Sequence, residues 1–84
     1  MHLHIIYTET AMLLSKRSYA SWREIQDEYQ SYRASVGPWP HEWVAEYLSD
    51  EYSDLWPSAQ EQVHVFLSEA LEVKALAFRG QSVA

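Results

Sequence analysis

The segment Ser58-Ala59-Gln60-Glu61-Gln62-Val63-His64-Val65-Phe66-Leu67 has the clearest structural signal in this 84-residue chain. Its first four residues match the capping box, in which a serine hydroxyl and a glutamate carboxylate each accept a hydrogen bond from an otherwise unpaired amide at a helix start. Val63, Phe66 and Leu67 follow at spacings of three and four, which place them on one face of a helix. The segment therefore predicts a helix that begins at Ala59.

A second capping box, Ser21-Trp22-Arg23-Glu24, opens a helix predicted over Trp22–Ser35. The inner face of this helix is expected to comprise Trp22, Ile25, Tyr29, Tyr32 and Val36. Gly37-Pro38 then stops the helix. A further helix is predicted over Pro40–Asp50, because proline is favoured at the first helical position. Its inner face is expected to comprise Trp43, Val44, Tyr47 and Leu48.

The two ends of the chain have weaker patterns. His2–Thr8 contains β-forming residues without clean alternation, so it is either a short strand or the lead-in to a helix. A helix capped by Thr8 or Thr10 is predicted to run to about Arg17. Val73–Phe78 is compatible with helix or strand.

These segments predict an all-α or mainly α fold, a small bundle of three to four short helices that allows a short N-terminal or C-terminal strand. Residues 1–84 are expected to form a single domain, with residues 81–84 frayed. The residues expected to be buried are Ile25, Tyr29, Val44, Leu48, Val63, Phe66 and Leu67.

The composition restricts the class of protein. There is no cysteine, so neither disulfides nor thiolate zinc sites stabilise the core. No run approaches 18 apolar residues and the N-terminus lacks a signal-peptide pattern, so we expect a cytoplasmic protein without a membrane-spanning helix. The net charge of −6 disfavours direct nucleic-acid binding, because that affinity comes from lysine and arginine displacing counterions.

Acidic residues are concentrated between residues 34 and 73, which contain eight acids and no lysine or arginine. Four of these acids recur at every fourth position: Glu42, Glu46, Asp50 and Asp54. On a continuous helix they form a like-charged row, in which each neighbouring pair costs about 0.2–0.5 kcal/mol. The row is either a solvated face that keeps the protein soluble, or a surface that presents negative charge to a basic partner.

Twelve aromatic residues are more than one small core readily encloses. Trp39, Tyr52 and Trp56 lie in or near the predicted connections between helices. Tryptophan and tyrosine are common anchors of protein interfaces, so these three residues are candidate partner-binding residues. Alternatively, they cover the ends of the bundle with their polar atoms in water.

The sequence contains no recognisable catalytic or metal-binding pattern. Two glycines do not supply a phosphate-binding loop or a nucleophile elbow. His2 and His4 have no third ligand at a suitable spacing. We therefore expect no catalytic residue, metal or cofactor, and we expect that the chain is not an enzyme.

These patterns favour a small acidic protein–protein interaction domain, an inhibitor or adaptor that binds a basic surface such as that of a nucleic-acid-handling protein. Inhibitors of this size and charge from phages and mobile elements offer an analogy. Membrane contact is not expected. One alternative is a helix-turn-helix transcriptional regulator, in which Leu14–Arg17 ends the first helix. A further alternative is a small structural subunit that self-associates. In that case the protein forms a homo-oligomer.

Overall fold

The computed structural model describes residues 1–79, which form a four-stranded antiparallel sheet and three helices. In chain order the elements are β1 (His2–Thr8), β2 (Met12–Ser15), α1 (Trp22–Glu28), β3 (Tyr32–Pro40), α2 (His41–Glu51), α3 (Ala59–Ser68) and β4 (Val73–Ala75). The strands lie in the order β3-β1-β2-β4. The fold is therefore α+β, and the prediction of an all-α or mainly α bundle is wrong.

The N-terminal segment is a strand in the middle of the sheet. β1 pairs with β2 on one side and with β3 on the other. Four consecutive residues of β1 are buried: Leu3, His4, Ile5 and Ile6. A strand covered on both faces has a continuous apolar run instead of an alternating one. For this reason the sequence pattern did not distinguish a strand from the lead-in to a helix.

Thr8 caps a turn and not a helix. Its hydroxyl accepts a hydrogen bond from the Ala11 amide at 3.0 Å, and its own amide donates to the Ala11 carbonyl at 2.9 Å. This turn joins β1 and β2 into a hairpin, in which Ile5 lies opposite Leu14. The helix predicted up to Arg17 is therefore absent, because a short apolar run fits a strand as well as a helix.

The helix predicted over Trp22–Ser35 ends at Glu28, and its second half belongs to β3. β3 pairs with β1, so contacts with a distant segment override the local helical periodicity. Gly37 lies within this strand at φ 111°, where an added Cβ would stand 2.6 Å from the Leu3 carbonyl oxygen. Gly37 thus permits the close approach of β1, and it does not stop a helix.

Both helix starts predicted from the capping boxes are confirmed. Ser21 is the N-cap of α1, and the Glu24 carboxylate accepts a hydrogen bond from the Ala20 amide at 2.8 Å. Ser58 is the N-cap of α3, and its hydroxyl accepts from the Glu61 amide at 3.2 Å. These motifs act within four residues, so the tertiary fold does not change them.

The remaining boundaries differ only slightly from expectation. α2 spans His41–Glu51, with Pro40 as its N-cap instead of its first residue. The C-terminal segment that was compatible with helix or strand forms β4 over Val73–Ala75. The fraying predicted for residues 81–84 lies outside the described residues. Within residues 1–79, no helix is both long enough and apolar enough to cross a membrane.

The helices cover the two faces of the sheet unequally. α2 and α3 pack together on one face, over Leu3, Ile5 and Leu14. α1 lies on the opposite face, where Ile6 and Ile25 are buried outside that cluster. Five of the residues predicted to be buried are so: Ile25, Val44, Leu48, Val63 and Phe66. Two others, Tyr29 and Leu67, are only half-buried.

Candidate functional site

The solvent side of α2 carries a row of acids. Val44 and Leu48 fix the opposite side of this helix in the core with no exposed surface. Glu42, Glu46 and Asp50 are all exposed, and each lies about one turn from the next. We refer to Glu42, Glu46 and Asp50 as the acidic ridge.

Asp54 does not continue the ridge, because α2 ends at Glu51. It lies in the turn after the helix, where its side chain is exposed. Its carbonyl oxygen accepts a hydrogen bond from the Arg79 amide at 2.5 Å. The structure thus aligns three of the four acids that the spacing singled out.

Basic side chains gather away from α2, where β2, β4 and the ends of α1 and α3 meet. The residues that pair there are Lys16, Arg17, Lys74, Glu28, Glu69 and Glu72. Lys74 Nζ lies 2.7 Å from Glu69 Oε1, and Arg17 contacts Glu28 and lies 3.7 Å from Glu72. Two of the eight acids between residues 34 and 73 are therefore neutralised. Of the other six acids, four lie on α2, and Asp54 and Glu61 lie outside that helix.

The acidic ridge has no lysine or arginine partner among residues 1–79. Glu46 and Asp50 form neither a hydrogen bond nor an ion pair in that part of the chain. Glu42 Oε1 lies 3.4 Å from His41 Nδ1, which is charged only when protonated. Like charges four residues apart repel each other, so the free protein holds an electrostatic strain on this helix.

A groove between α2 and α3 borders one side of the ridge. It has a volume of about 430 Å³ and is lined by the ridge, by Ala45, Val63 and Leu67, and by Gln60 and His64 on α3. The lining therefore combines apolar side chains with an acidic rim. Lysine and arginine have this same combination of an aliphatic stem and a charged end. The groove thus suits a basic side chain whose stem lies along the apolar floor and whose charged end reaches the acidic rim.

Trp43 stands on the other side of the ridge. It lines a cleft of about 320 Å³ together with Tyr47, Glu46 and Asp50. Its exposed fraction is 63%, so the expectation that it faces the core is wrong. The apolar residues of α2 span too wide an arc for all of them to face inward. The signal that pointed to Trp43 is its position three residues before Glu46, on the same side of the helix.

The three aromatic residues predicted as partner contacts have different environments. Trp39 is half-buried and packs edge-on against a tyrosine of α2, with ring centres 5.3 Å apart. Tyr52 is half-buried and packs edge-on against Phe78 at 6.4 Å. Trp56 is 60% exposed, with the Arg79 guanidinium 4.9 Å from its ring centre. Trp39 and Tyr52 thus contribute to internal packing, and only Trp56 presents a large free surface.

A cluster of tyrosine hydroxyls joins α2 to the sheet. The Tyr7 and Tyr47 hydroxyl oxygens lie 3.4 Å apart. Burial raises the pKa of Tyr7 well above its ordinary value, and hydrogen bonds with Tyr47 and Tyr52 raise it further. The Tyr7 hydroxyl therefore stays neutral, and its contact with Tyr47 ties α2 to the sheet beneath the acidic ridge.

The histidines are not arranged as a metal centre. His41 and His64 line the α2–α3 groove, whereas His4 lies on the opposite face of the sheet. Among the described residues, no group of three or more histidine, cysteine, aspartate or glutamate side chains is placed to hold a metal ion. No protein-family model matches the chain, and no curated protein or solved structure is significantly similar to it.

Proposed function

We propose that this chain is a small protein–protein interaction domain, an inhibitor or adaptor, that binds a basic surface of another protein through α2. The observation that carries this proposal is the acidic ridge, whose three exposed acids have no lysine or arginine partner in residues 1–79. A nucleic-acid-handling protein is a suitable partner, because its binding groove presents closely spaced lysine and arginine side chains.

A basic partner relieves a repulsion that already exists in the free protein. Each pair of neighbouring acids on a helix costs about 0.2–0.5 kcal/mol. A lysine or arginine placed between Glu42 and Glu46, or between Glu46 and Asp50, converts that repulsion into attraction. Complementary charge also accelerates the encounter and disfavours acidic partners.

Trp43 supplies the apolar contact that charge alone does not provide. It is 63% exposed and lies beside the ridge. Exposed tryptophans are frequent hot spots when a partner pocket encloses them. Val44 and Leu48 hold the helix rigidly, so binding orders few additional side chains.

The helix-turn-helix alternative has lost its structural basis. Leu14–Arg17, the segment expected to end the first helix, lies in β2 and the loop after it, and β3 separates α1 from α2. The self-association alternative requires another surface, because two acidic ridges repel each other.

The proposal is tested by reversing charge on the ridge and comparing a matched control. The variant E46K/D50K changes two ridge acids, whereas E9K/D27K changes two exposed acids on other elements. Both variants change the formal net charge from −6 to −2. The probe is a synthetic amphipathic helical peptide rich in lysine and arginine, and its association and dissociation rates are measured at low and high salt.

We expect E46K/D50K to associate at least about tenfold more slowly than the parent and to lose the salt dependence of association. The control E9K/D27K should keep most of the parental rate. Trp43→Ala should leave association unchanged and speed dissociation by about tenfold or more, with Trp56→Ala as the comparison for an equally exposed ring. Equal rates for the two charge variants would show that only net charge matters, and the proposal would fail.

A further inference from the structure

A second candidate site lies on the sheet face opposite α2 and α3, and it is independent of the function proposed above. Here the loop after β2 and the helix α1 cover part of the sheet. They leave a cleft of about 330 Å³. Its lining includes His4, Tyr19, Trp22, Ser35 and Pro38. We refer to it as the His4 cleft.

His4 is a buried polar residue whose ring forms no hydrogen bond with any residue from 1 to 79. Its exposed fraction is 7%, and its ring packs edge-on against Tyr19 with ring centres 4.9 Å apart. Neither ring nitrogen of His4 forms a hydrogen bond within residues 1–79. No fully buried side-chain nitrogen or oxygen in that part of the chain lacks a partner. Each of the two ring nitrogens of His4 therefore retains a small solvent-accessible area in the cleft.

Burial lowers the pKa of His4 below its ordinary value of 6.5. The nearest titratable groups on the elements packed against it are Tyr19 and, through the tyrosine hydroxyl, Glu28, which contacts Arg17. At neutral pH the ring is an uncharged imidazole with one N–H donor and one nitrogen acceptor. Both ring nitrogens of His4 retain some solvent contact, so the donor and the acceptor are available to a ligand in the cleft.

The hydroxyl groups of Tyr19 and Ser35 in the cleft are already engaged. The Tyr19 hydroxyl lies 2.9 Å from Ser15 Oγ and donates to Glu28 at 3.2 Å. The Ser35 hydroxyl lies 3.0 Å from that of Tyr32. The tyrosine ring is therefore held as a rigid wall, and His4 supplies the unused hydrogen-bonding capacity.

The aromatic side chains that line the cleft suit a flat ligand. Tyr19 and Trp22 contribute aromatic rings, and Trp22 is 53% exposed at the opening. Gly37 also lines the cleft, and a Cβ at this position would stand 3.1 Å from the Cα atom of His4. A cavity of about 150 Å³ holds one benzene molecule, so 330 Å³ accommodates one or two fused rings.

No residue that lines the cleft carries a formal charge while His4 is neutral, so the cleft offers no counter-ion to an ionised ligand. We propose that the His4 cleft binds a free, uncharged nitrogen heterocycle of one or two rings, which packs against Trp22 and exchanges a hydrogen bond with His4. The ring nitrogen of the ligand supplies the partner that the imidazole lacks.

The test uses the full chain labelled with ¹⁵N and two probes, adenine and benzoate, at neutral pH. Adenine is an uncharged two-ring heterocycle, whereas benzoate is a charged ring of similar width. The imidazole nitrogens of His4 and the indole N–H of Trp22 report binding. We expect saturable shifts at both residues with adenine, with a dissociation constant of about 1 mM or below, and far weaker shifts with benzoate.

Variants locate the site. Trp22→Ala should weaken adenine binding about tenfold, whereas Trp43→Ala removes a comparably exposed ring on the other sheet face and should change nothing. His4→Phe keeps a buried ring and should weaken binding about fivefold, the equivalent of one net hydrogen bond. If His4→Phe does not fold, the effect of Trp22→Ala on adenine binding decides whether the His4 cleft is the binding site. Absence of saturable shifts at His4 and Trp22, equal effects of the two tryptophan variants, or equally tight benzoate binding would each overturn the proposal.

Discussion

The substitution Glu46→Lys tests the electrostatic basis of the acidic ridge without any knowledge of the partner. Glu46 lies between Glu42 and Asp50, four residues from each, and all three side chains are exposed. A lysine at this position removes two repulsions and introduces two attractions. Each of these four contributions is about 0.2–0.5 kcal/mol, and the lysine-before-aspartate order is the weaker one. We therefore expect the free energy of unfolding to rise by about 1 kcal/mol.

This change is large enough to measure in a chain of 84 residues. A gain of about 1 kcal/mol raises the melting temperature of a domain of this size by about 4–8 °C. Glu46→Gln removes the repulsions alone and should give about half of that increase. At 1 M salt the screening length falls to about 3 Å, so most of the gain should disappear. Thermal unfolding followed by circular dichroism at low and high salt measures both effects.

Glu9→Lys is the matched control, because it makes the same change in net charge in a loop outside the helices. It separates the local repulsion on α2 from the general effect of reducing the net charge. If Glu46→Lys stabilises the protein no more than Glu9→Lys, the ridge acids do not repel each other appreciably. The unpaired acids on which the proposed function depends would then not destabilise the free protein.

Three further results are expected from the core, the glycine in β3 and the buried histidine. Phe66→Ala removes a side chain with no exposed surface and should lower the free energy of unfolding by about 3–5 kcal/mol in urea titrations; an unchanged midpoint would contradict the assigned core. Gly37→Ala should lower the free energy of unfolding by more than about 1 kcal/mol, since φ is 111° and the new Cβ meets the Leu3 carbonyl; wild-type stability would contradict this close approach of β1 and β3. Because the pKa of His4 is lowered on folding, the unfolded chain binds more protons below pH 6.5, and stability should fall as the pH decreases from that value. The decrease attributable to this group, at most about 1.4 kcal/mol per pH unit, should be missing in His4→Phe, and equal pH profiles would contradict it.

The parts of the fold that the sequence predicted correctly are those that depend on neighbouring residues. The capping interactions at Ser21 and Ser58 lie within four residues and survive in any tertiary context. β3 is different, because its hydrogen-bond partner β1 lies about thirty residues earlier in the chain. Helical periodicity after Glu28 was a local preference, and pairing with β1 outweighed it.

The candidate site shows the same division. The acidic ridge was predictable, since the spacing of four residues aligns charges on any helix that spans residues 42–50. Asp54 would have joined the row only on a longer helix, and α2 ends at Glu51, one residue beyond the predicted end at Asp50. The His4 cleft was not predictable at all. Its walls come from β1, the loop after β2, α1 and β3. These segments are brought together only by the tertiary fold, so no spacing in the sequence indicates the cleft.

The strand β1 lies between the two candidate sites, with the core beneath α2 on one side and the His4 cleft on the other. Ile5 points into the core beneath α2, whereas His4 points to the opposite face, because successive side chains of a strand alternate. Charge reversal on the ridge therefore leaves the cleft walls untouched, and Trp22→Ala leaves the ridge charge untouched. Each variant should affect only its own binding assay. A variant that weakens both assays acts through the stability of β1, and it reports on neither surface.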